Sequence, residues 1–385
     1  MYNILTLNKI SASGLANFPK DSFACSMDAD KPDAVIVRSA SMHEMDFADN
    51  LLAIARAGAG VNNIPVDKCT ERGICVFNTP GANANAVKEL VICALFLSSR
   101  KIFEGATWCS SLKGSGDGVS KLVEKGKSNF AGPEIAGKTL GVIGLGAIGI
   151  KVANAADALG MNVIGYDPFI SDSTVAALNT DITVTANLDD IFCDADYVTV
   201  HAPLTDSTRG IIGGENLKKA KDGVRILNFA RAELVANADI LEALSSGKCA
   251  AYATDFPTDE QLGTAGVIAI PHLGASTPEA EENCAVMAVR QLTDYLENGN
   301  IKNSVNFPAV ALKKGGKVRI TAVTNGDAAQ TVKQALAEAG ISVLAEKSAV
   351  KKNIGYCIFD TDNDITDAAI EMLKGLGDVI AVRII

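Results

Sequence analysis

Thr139-Leu-Gly-Val-Ile-Gly144-Leu-Gly146-Ala-Ile-Gly149 decides the fold. A short apolar run reads as a buried strand, passes into G-x-G-x-x-G, and gives way to helical apolar spacing over 147–159. Strand, glycine loop and helix in that order open a dinucleotide-binding βαβ unit. Gly144 permits the tight turn, and Gly146 lets a pyrophosphate approach the amides at the helix N-terminus. Gly149 lets the helix pack closely on the strand. The next strand ends at Asp167, 18 residues beyond Gly149, where a carboxylate can accept both adenosine ribose hydroxyls and repel a 2′-phosphate. No Lys or Arg occurs from Val152 to Thr208, while that span holds nine Asp, so the cofactor expected is NAD. Just upstream, 132–139 matches G-x-x-x-x-G-K-T, but its strand comes after it where a phosphate loop needs one before, and Pro133 and Glu134 stand where free amides belong. That match is rejected.

Outward from this loop, apolar runs at 162–166, 197–200, 224–228, 250–254 and 267–270 alternate with helical patterns such as 237–246. Alternation of this kind predicts an α/β fold with a Rossmann-type, doubly wound parallel sheet. Residues 1–97 show a weaker version, with strands expected at 2–7, 34–38, 52–55 and 74–77 and a long helix over 84–103. A further helix is expected over 278–297, with Thr277 as N-cap and Pro278 in the first turn. The Gly/Ser/Lys-rich stretch 113–129 reads as surface, and 298–316, with Gly299, Pro308, Gly315 and Gly316, as a linker. After it, strands at 317–323, 341–348, 354–360 and 378–384 with helices at 327–339 and 365–375 give the βαββαβ order of a ferredoxin-like unit.

Composition narrows the function. At roughly 150 residues per domain, 385 residues suggest two or three domains, and 48% hydrophobic against 21% charged residues excludes a disordered chain. No apolar stretch approaches the length of a membrane span. The N-terminus reads as a first strand, not a signal peptide. A formal charge of −10 argues against a nucleic-acid partner. Nine cysteines without a C-x-x-C pair indicate neither a disulfide framework nor a metal site, and suggest reduced thiols in the cytoplasm.

Ligands of open parallel sheets bind at the carboxyl ends of the strands. There stand Phe229-Ala230-Arg231, Asp255 with Asp259 and Glu260, Pro271-His272-Leu-Gly274, and His201-Ala202-Pro203. Oxidising a secondary alcohol needs a base for the hydroxyl proton, which a histidine can be, and a neighbouring carboxylate would steady the imidazolium. An arginine can grip a substrate carboxylate bidentately and orient C2. His272 is displayed in the expected crevice; His201 could equally be a base by position, but its Ala-Pro-Leu-Thr sequel better suits a wall beside the cofactor; His43 falls in a surface loop. Arg38 and Arg56 end two N-terminal strands and either grip a second anionic group or are ordinary surface arginines.

Arg38-Ser-Ala, Arg56-Ala-Gly-Ala-Gly, Asn78-Thr-Pro-Gly-Ala-Asn83, the Gly144 loop, His201-Ala-Pro-Leu-Thr, Asn228-Phe-Ala-Arg231 and Pro271-His-Leu-Gly-Ala-Ser-Thr277 together resemble the D-isomer-specific 2-hydroxy acid dehydrogenases over nearly the whole chain. The resemblance implies a split, flavodoxin-like substrate domain (1–97 with 274–306), an NAD-binding domain (98–273) and a C-terminal ACT regulatory domain (315–385). It implies Arg231 as carboxylate anchor, His272 as acid and base, and a paired acid that is Glu260 or Asp259, with Glu260 preferred for its longer arm. Gly144, Gly146, Ala147, Ile148, Gly149, Asp167, His201, Ala202, Pro203, Thr208, Phe229, Ala230, Arg231, His272 and Gly274 would contact the cofactor, with Asp255 at the nicotinamide amide. Arg38, Ser39, Arg56, Ala57, Gly58, Asn83, Arg231 and His272 would contact a phosphorylated 2-hydroxy acid. The implied reaction is NAD-dependent oxidation of 3-phospho-D-glycerate to 3-phosphooxypyruvate, first step of L-serine synthesis, by a homodimer or homotetramer. Reduction of hydroxypyruvate or glyoxylate, and a non-catalytic NAD sensor, are the alternatives. Three departures from the family pattern stand out: Ala232 after the arginine, the shortened Asp255-Phe-Pro257, and Ala59 in place of a Thr. In the ACT unit the family's serine-binding positions fall on Ala322, Thr324 and Ser342, which argues against the usual serine feedback.

Overall fold

Three sheets organise the chain. The computed structural model describes all of residues 1–385, and they group into two units, Met1–Asn83 with Pro278–Ile385, and Ala84–Thr277.

In the first unit β1 (Tyr2–Leu7), β2 (Phe23–Ser26), β3 (Ala34–Val37), β4 (Ala53–Arg56) and β5 (Cys75–Phe77) form a parallel sheet of order β2-β1-β3-β4-β5, the flavodoxin-like order. β3 is buried along its whole length because both sheet faces are covered. Helix Pro278–Asn298 presents Cys284, Ala288, Leu292 and Tyr295 to one face, against Ile36, Ala55 and Phe77. β2 escaped the sequence reading: it is an edge strand with three of its four residues exposed, so no apolar pattern marks it.

The second unit is built from β6 (Thr139–Ile143), β7 (Asn162–Tyr166), β8 (Thr183–Thr185), β9 (Tyr197–Val200), β10 (Val224–Asn228), β11 (Cys249–Thr254) and β12 (Val267–Ala269). Their parallel order, β12-β11-β10-β9-β6-β7-β8, reverses direction between β6 and β9, which defines the ligand-binding switch point. The expected long helix is two helices, Ala84–Ser99 and Ile102–Ser111. The hydroxyls of Ser98 and Ser99 both donate to the Leu95 carbonyl, 3.1 and 2.6 Å, and compete with the backbone at the helix end. Val87, Val91 and Leu95 of the first of these helices pack with Val142 and Val152 of the nucleotide fold. This helix accordingly belongs to the second compact unit, which begins at Ala84. The stretch 113–129 is largely exposed, as expected, yet it includes a helix, Val119–Gly126, whose last residue is buried.

The C-terminal residues form an antiparallel sheet from β13 (Val318–Asn325), β14 (Ala345–Lys351), β15 (Ile354–Thr361) and β16 (Val379–Ile384), in the order β14-β15-β13-β16. This is the ferredoxin-like arrangement, with β14 starting later than its expected 341 because Ile341 turns into the core beneath Leu336. One face carries the helices Ala329–Glu338 and Asp367–Lys374. The other face places Val323, Tyr356 and Ile358 in the same core as Phe77 and Tyr295. The segment 298–316 is correspondingly no loose linker: Ile301, Phe307 and Val310 are each 1% exposed. Asn306 is fixed to the Val76 amide and the Ile74 carbonyl. The Tyr356 hydroxyl donates to the Gly299 carbonyl at 2.6 Å. Fully buried Arg319 grips Asp360 through two hydrogen bonds of 2.6 and 2.8 Å and donates to the Asn298 carbonyl at 2.7 Å. Burial works to raise the Asp360 pKa, but the Arg319 guanidinium and the Gly315 amide prevail and hold it below the usual carboxylate range.

Candidate active site

In the second unit the glycine loop is built as its sequence demands. Gly144 has φ +91°, and a Cβ there would come within 2.8 Å of the Ala202 amide. At Gly149 a Cβ would collide with the Gly144 carbonyl. Gly146 instead faces open space and stands before helix Ala147–Ala158 with no side-chain cap, so the amides around Ala147 and Ile148 are available to an anion. Asp167 accepts the amide hydrogens of Leu145 and Phe169, both at 2.9 Å, one on each oxygen. It thus braces the loop while keeping a lone pair on each oxygen for a ribose hydroxyl.

His201 comes directly after β9, and its amide donates to the Ile143 carbonyl across the switch point at 2.7 Å. Its Nε2 meets the Thr199 hydroxyl at 3.0 Å, and its Nδ1 is buried without a partner. Burial pushes its pKa down to about 4, so the ring is neutral at physiological pH. A neutral imidazole is in keeping with the wall expected of it. The Thr208 hydroxyl donates to the Pro203 carbonyl at 2.7 Å, which shapes the loop after His201.

Buried Asn228 forms the turn after β10 by donating to the Arg231 carbonyl, 2.8 Å, and accepting from the Ala230 amide, 3.1 Å. Phe229 is buried beneath it, and the exposed Arg231 guanidinium lies 6.0 Å from the centre of the Phe256 ring. On the same ring, exposed His272 sits with its centroid 4.4 Å away. Phe256 is therefore the side chain that brings the candidate anchor and the candidate base together. Its position directly after Asp255 was the only signal for it in the sequence.

Asp255 is 3% exposed, and neither carboxylate oxygen has a hydrogen-bond partner. Burial pushes its pKa up to about 6; its own amide, the Arg231 guanidinium and the Gly274 amide oppose the shift without supplying a well-formed hydrogen bond. A Cβ on Gly274 would stand 3.7 Å from Asp255 Oδ2. An uncompensated buried carboxylate is costly, and the two N–H donors of a carboxamide would satisfy it. With the open Gly146 face and the uncapped helix, this orphan acceptor fits a nicotinamide dinucleotide. Glu260 lies in the turn Asp259–Gln261, accepting from Thr258 at 2.9 Å and Asn237 at 3.3 Å. The Thr258 hydroxyl is the main cause of its lowered pKa, so Glu260 is ionised.

In the first unit Arg38 comes directly after β3 and Arg56 ends β4, with Val37 and Arg56 in register. Arg56 Nε donates to the Arg38 carbonyl at 3.1 Å, and the Arg56 guanidinium lies over Gly58, where a Cβ would overlap it. The Ala57 amide donates to the Val37 carbonyl at 2.8 Å. Asn8 holds the amides of Ser39 and Ala40 at 3.0 and 2.6 Å; nothing in the sequence pattern marked it. Asn83 is half-buried at the unit's boundary, and His43 is exposed, as expected.

Residues 93–274 match the family described as D-isomer specific 2-hydroxyacid dehydrogenase, NAD binding domain. The chain is 40% identical over 273 residues to a hydroxypyruvate reductase of Thermotoga maritima, covering 68% of this chain and 83% of that one. The chain belongs to the D-isomer specific 2-hydroxyacid dehydrogenase family, and its second unit is the family's NAD-binding domain.

Within the family it is 37% identical over 296 residues to the D-3-phosphoglycerate dehydrogenase of Methanocaldococcus jannaschii, covering 74% of this chain and 54% of that one. The chain thus spans about half the length of such relatives. A solved structure of NAD+-bound 3-phosphoglycerate dehydrogenase from Entamoeba histolytica superposes with a TM-score of 0.62 at 26% identity, over 79% of this chain and 98% of that one. No helix is long and apolar enough to cross a membrane.

Proposed function

We propose that this chain oxidises 3-phospho-D-glycerate to 3-phosphooxypyruvate with NAD, the entry to L-serine synthesis. The observation that supports the chemistry is the Phe256 ring, which both Arg231 and His272 approach, next in sequence to the orphan carboxylate of Asp255. In this reading NAD, when bound, supplies the hydride acceptor. Arg231 grips the substrate carboxylate and orients C2. His272 takes the hydroxyl proton in oxidation and returns it in reduction. Glu260, ionised, is the acid that steadies the imidazolium. Asp255 would accept from the carboxamide of a bound nicotinamide. Arg38 and Arg56, tied together at adjacent strand ends, take the phosphate. The names of the archaeal relatives support the phosphorylated substrate.

A second reading, reduction of hydroxypyruvate or glyoxylate, has its own support. The relative at 40% identity is a hydroxypyruvate reductase, and Arg38 is already paired with Glu281. The proposal also takes 315–385 as an ACT-type regulatory or assembly module, supported by its sheet order. On the family resemblance it extends to a cytoplasmic homodimer or homotetramer.

The test is NADH oxidation with 3-phosphooxypyruvate beside hydroxypyruvate, glyoxylate and 2-oxoglutarate, each repeated with NADPH. Preference for the phosphorylated acid with NADH is expected. Better turnover of an unphosphorylated acid would move the enzyme out of serine synthesis, and silence with all four would revive the NAD-sensor alternative.

A further inference from the structure

The Arg38 guanidinium is paired: its Nη1 lies 2.7 Å from Glu281 Oε1, with side chains 35% and 37% exposed. We propose that Glu281 sets substrate choice, because its carboxylate occupies the arginine that a substrate phosphate would use and so weakens the preference for phosphorylated over uncharged substrate tails. This rests on the reading that Arg38 and Arg56 receive the tail of the substrate.

Three observations carry it. The Arg56 guanidinium is held beside the Arg38 backbone, with its Nε bonded to the Arg38 carbonyl and its guanidinium seated over Gly58. Glu281 stands in the first turn of helix Pro278–Asn298, which is anchored in the core by Cys284, Ala288 and Leu292. Its carboxylate can therefore swing by side-chain rotation but cannot retreat with the backbone. Arg38, Arg56 and Glu281 also act together on the neighbouring Cys284 thiol, the two guanidiniums lowering its pKa and the carboxylate raising it, against a larger effect of burial. The three charges thus share one electrostatic neighbourhood.

A phosphate dianion arriving there must displace the Glu281 carboxylate or bind beside it, and like charges in contact are costly. A hydroxymethyl tail, or a hydrogen, meets no such opposition. Selectivity is a difference of affinities, and a like charge next to the binding group is an effective way to set it. Glutamine at this position would keep a hydrogen-bond acceptor for Arg38 and remove the charge.

The experiment compares wild type, Glu281→Gln, Arg38→Gln and the double variant with NADH and either 3-phosphooxypyruvate or hydroxypyruvate. For Glu281→Gln the ratio of kcat/KM, phosphorylated over unphosphorylated, is expected to rise about tenfold, mainly through a lower KM for 3-phosphooxypyruvate. NADH affinity is expected to stay unchanged. In the Arg38→Gln background the gain is expected to vanish, which a merely structural role of Glu281 would not produce. A ratio that stays level or falls in Glu281→Gln overturns the proposal, as does a gain that persists without Arg38. Failure of the phosphoglycerate reading looks different: wild type would turn over hydroxypyruvate and not 3-phosphooxypyruvate. A gain of 3-phosphooxypyruvate turnover in Glu281→Gln would then still uphold the role of Glu281, and no gain would overturn both.

Discussion

Asp255→Asn should strengthen the empty protein and weaken its hold on the cofactor. The Asp255 carboxyl is 3% exposed, lacks hydrogen-bond partners, and has its pKa pushed by burial from 3.8 to about 6. Each tenfold step in the proton equilibrium is worth about 1.36 kcal/mol, so ionisation at pH 7 costs the folded state at most about 3 kcal/mol. Local relaxation and water penetration reduce this to about 1–2 kcal/mol. The sign comes from linkage: a carboxyl with a raised folded-state pKa favours folding below its unfolded value and loses that advantage as pH rises through about 6. Asn carries no charge to bury, so the variant's advantage should be full at pH 7.5 and fade as pH falls from about 6 to about 4. Urea unfolding monitored by the fluorescence of Trp108, the only tryptophan and a residue of the same unit, measures this directly. NADH titration of the same proteins should show weaker binding to the variant, about three- to tenfold, because a charged acceptor is replaced by a neutral one. A variant that is no more stable than wild type at pH 7.5, or whose advantage does not change with pH, would refute this account. So would unchanged NADH affinity.

His272→Ala should abolish turnover while leaving the NADH dissociation constant within about twofold, since the residue's proposed work is on the substrate proton; an active alanine variant, measured in either direction, would end the proposed mechanism. Gly146→Val should fold, because the glycine faces open space, yet lose NADH binding by the steric block at the helix N-terminus; fluorescence titration checks this. Arg319→Met should lower stability by about 3–5 kcal/mol by leaving Asp360 ionised and buried without its guanidinium, and Arg319→Met with Asp360→Leu should recover most of the loss; denaturant unfolding of the two variants decides it.

The sequence determined those parts of the protein that are written in neighbouring residues. β6, the Gly144 loop and the helix after it need only a strand pattern, three glycines and an apolar helical stripe, and β6 lies where the sequence puts it, with the helix ending one residue early. Strand ends were legible as well, and Arg231, Asp255, His272, Arg38 and Arg56 all lie at or just beyond one. Short exposed edge strands such as β2 and β8 could not be read, because burial on neither face leaves a pattern. Only the tertiary structure decided what those side chains meet. The Phe256 ring beside both Arg231 and His272, the unpaired carboxylate of Asp255, and the pairing of Arg38 with Glu281 across 243 positions of sequence are contacts between distant segments. The same holds for the C-terminal sheet, whose Tyr356 and Ile358 lie in one core with Phe77 of the N-terminal sheet. Local backbone preferences act over a few residues, whereas burial and charge pairing depend on which surfaces the folded chain brings together.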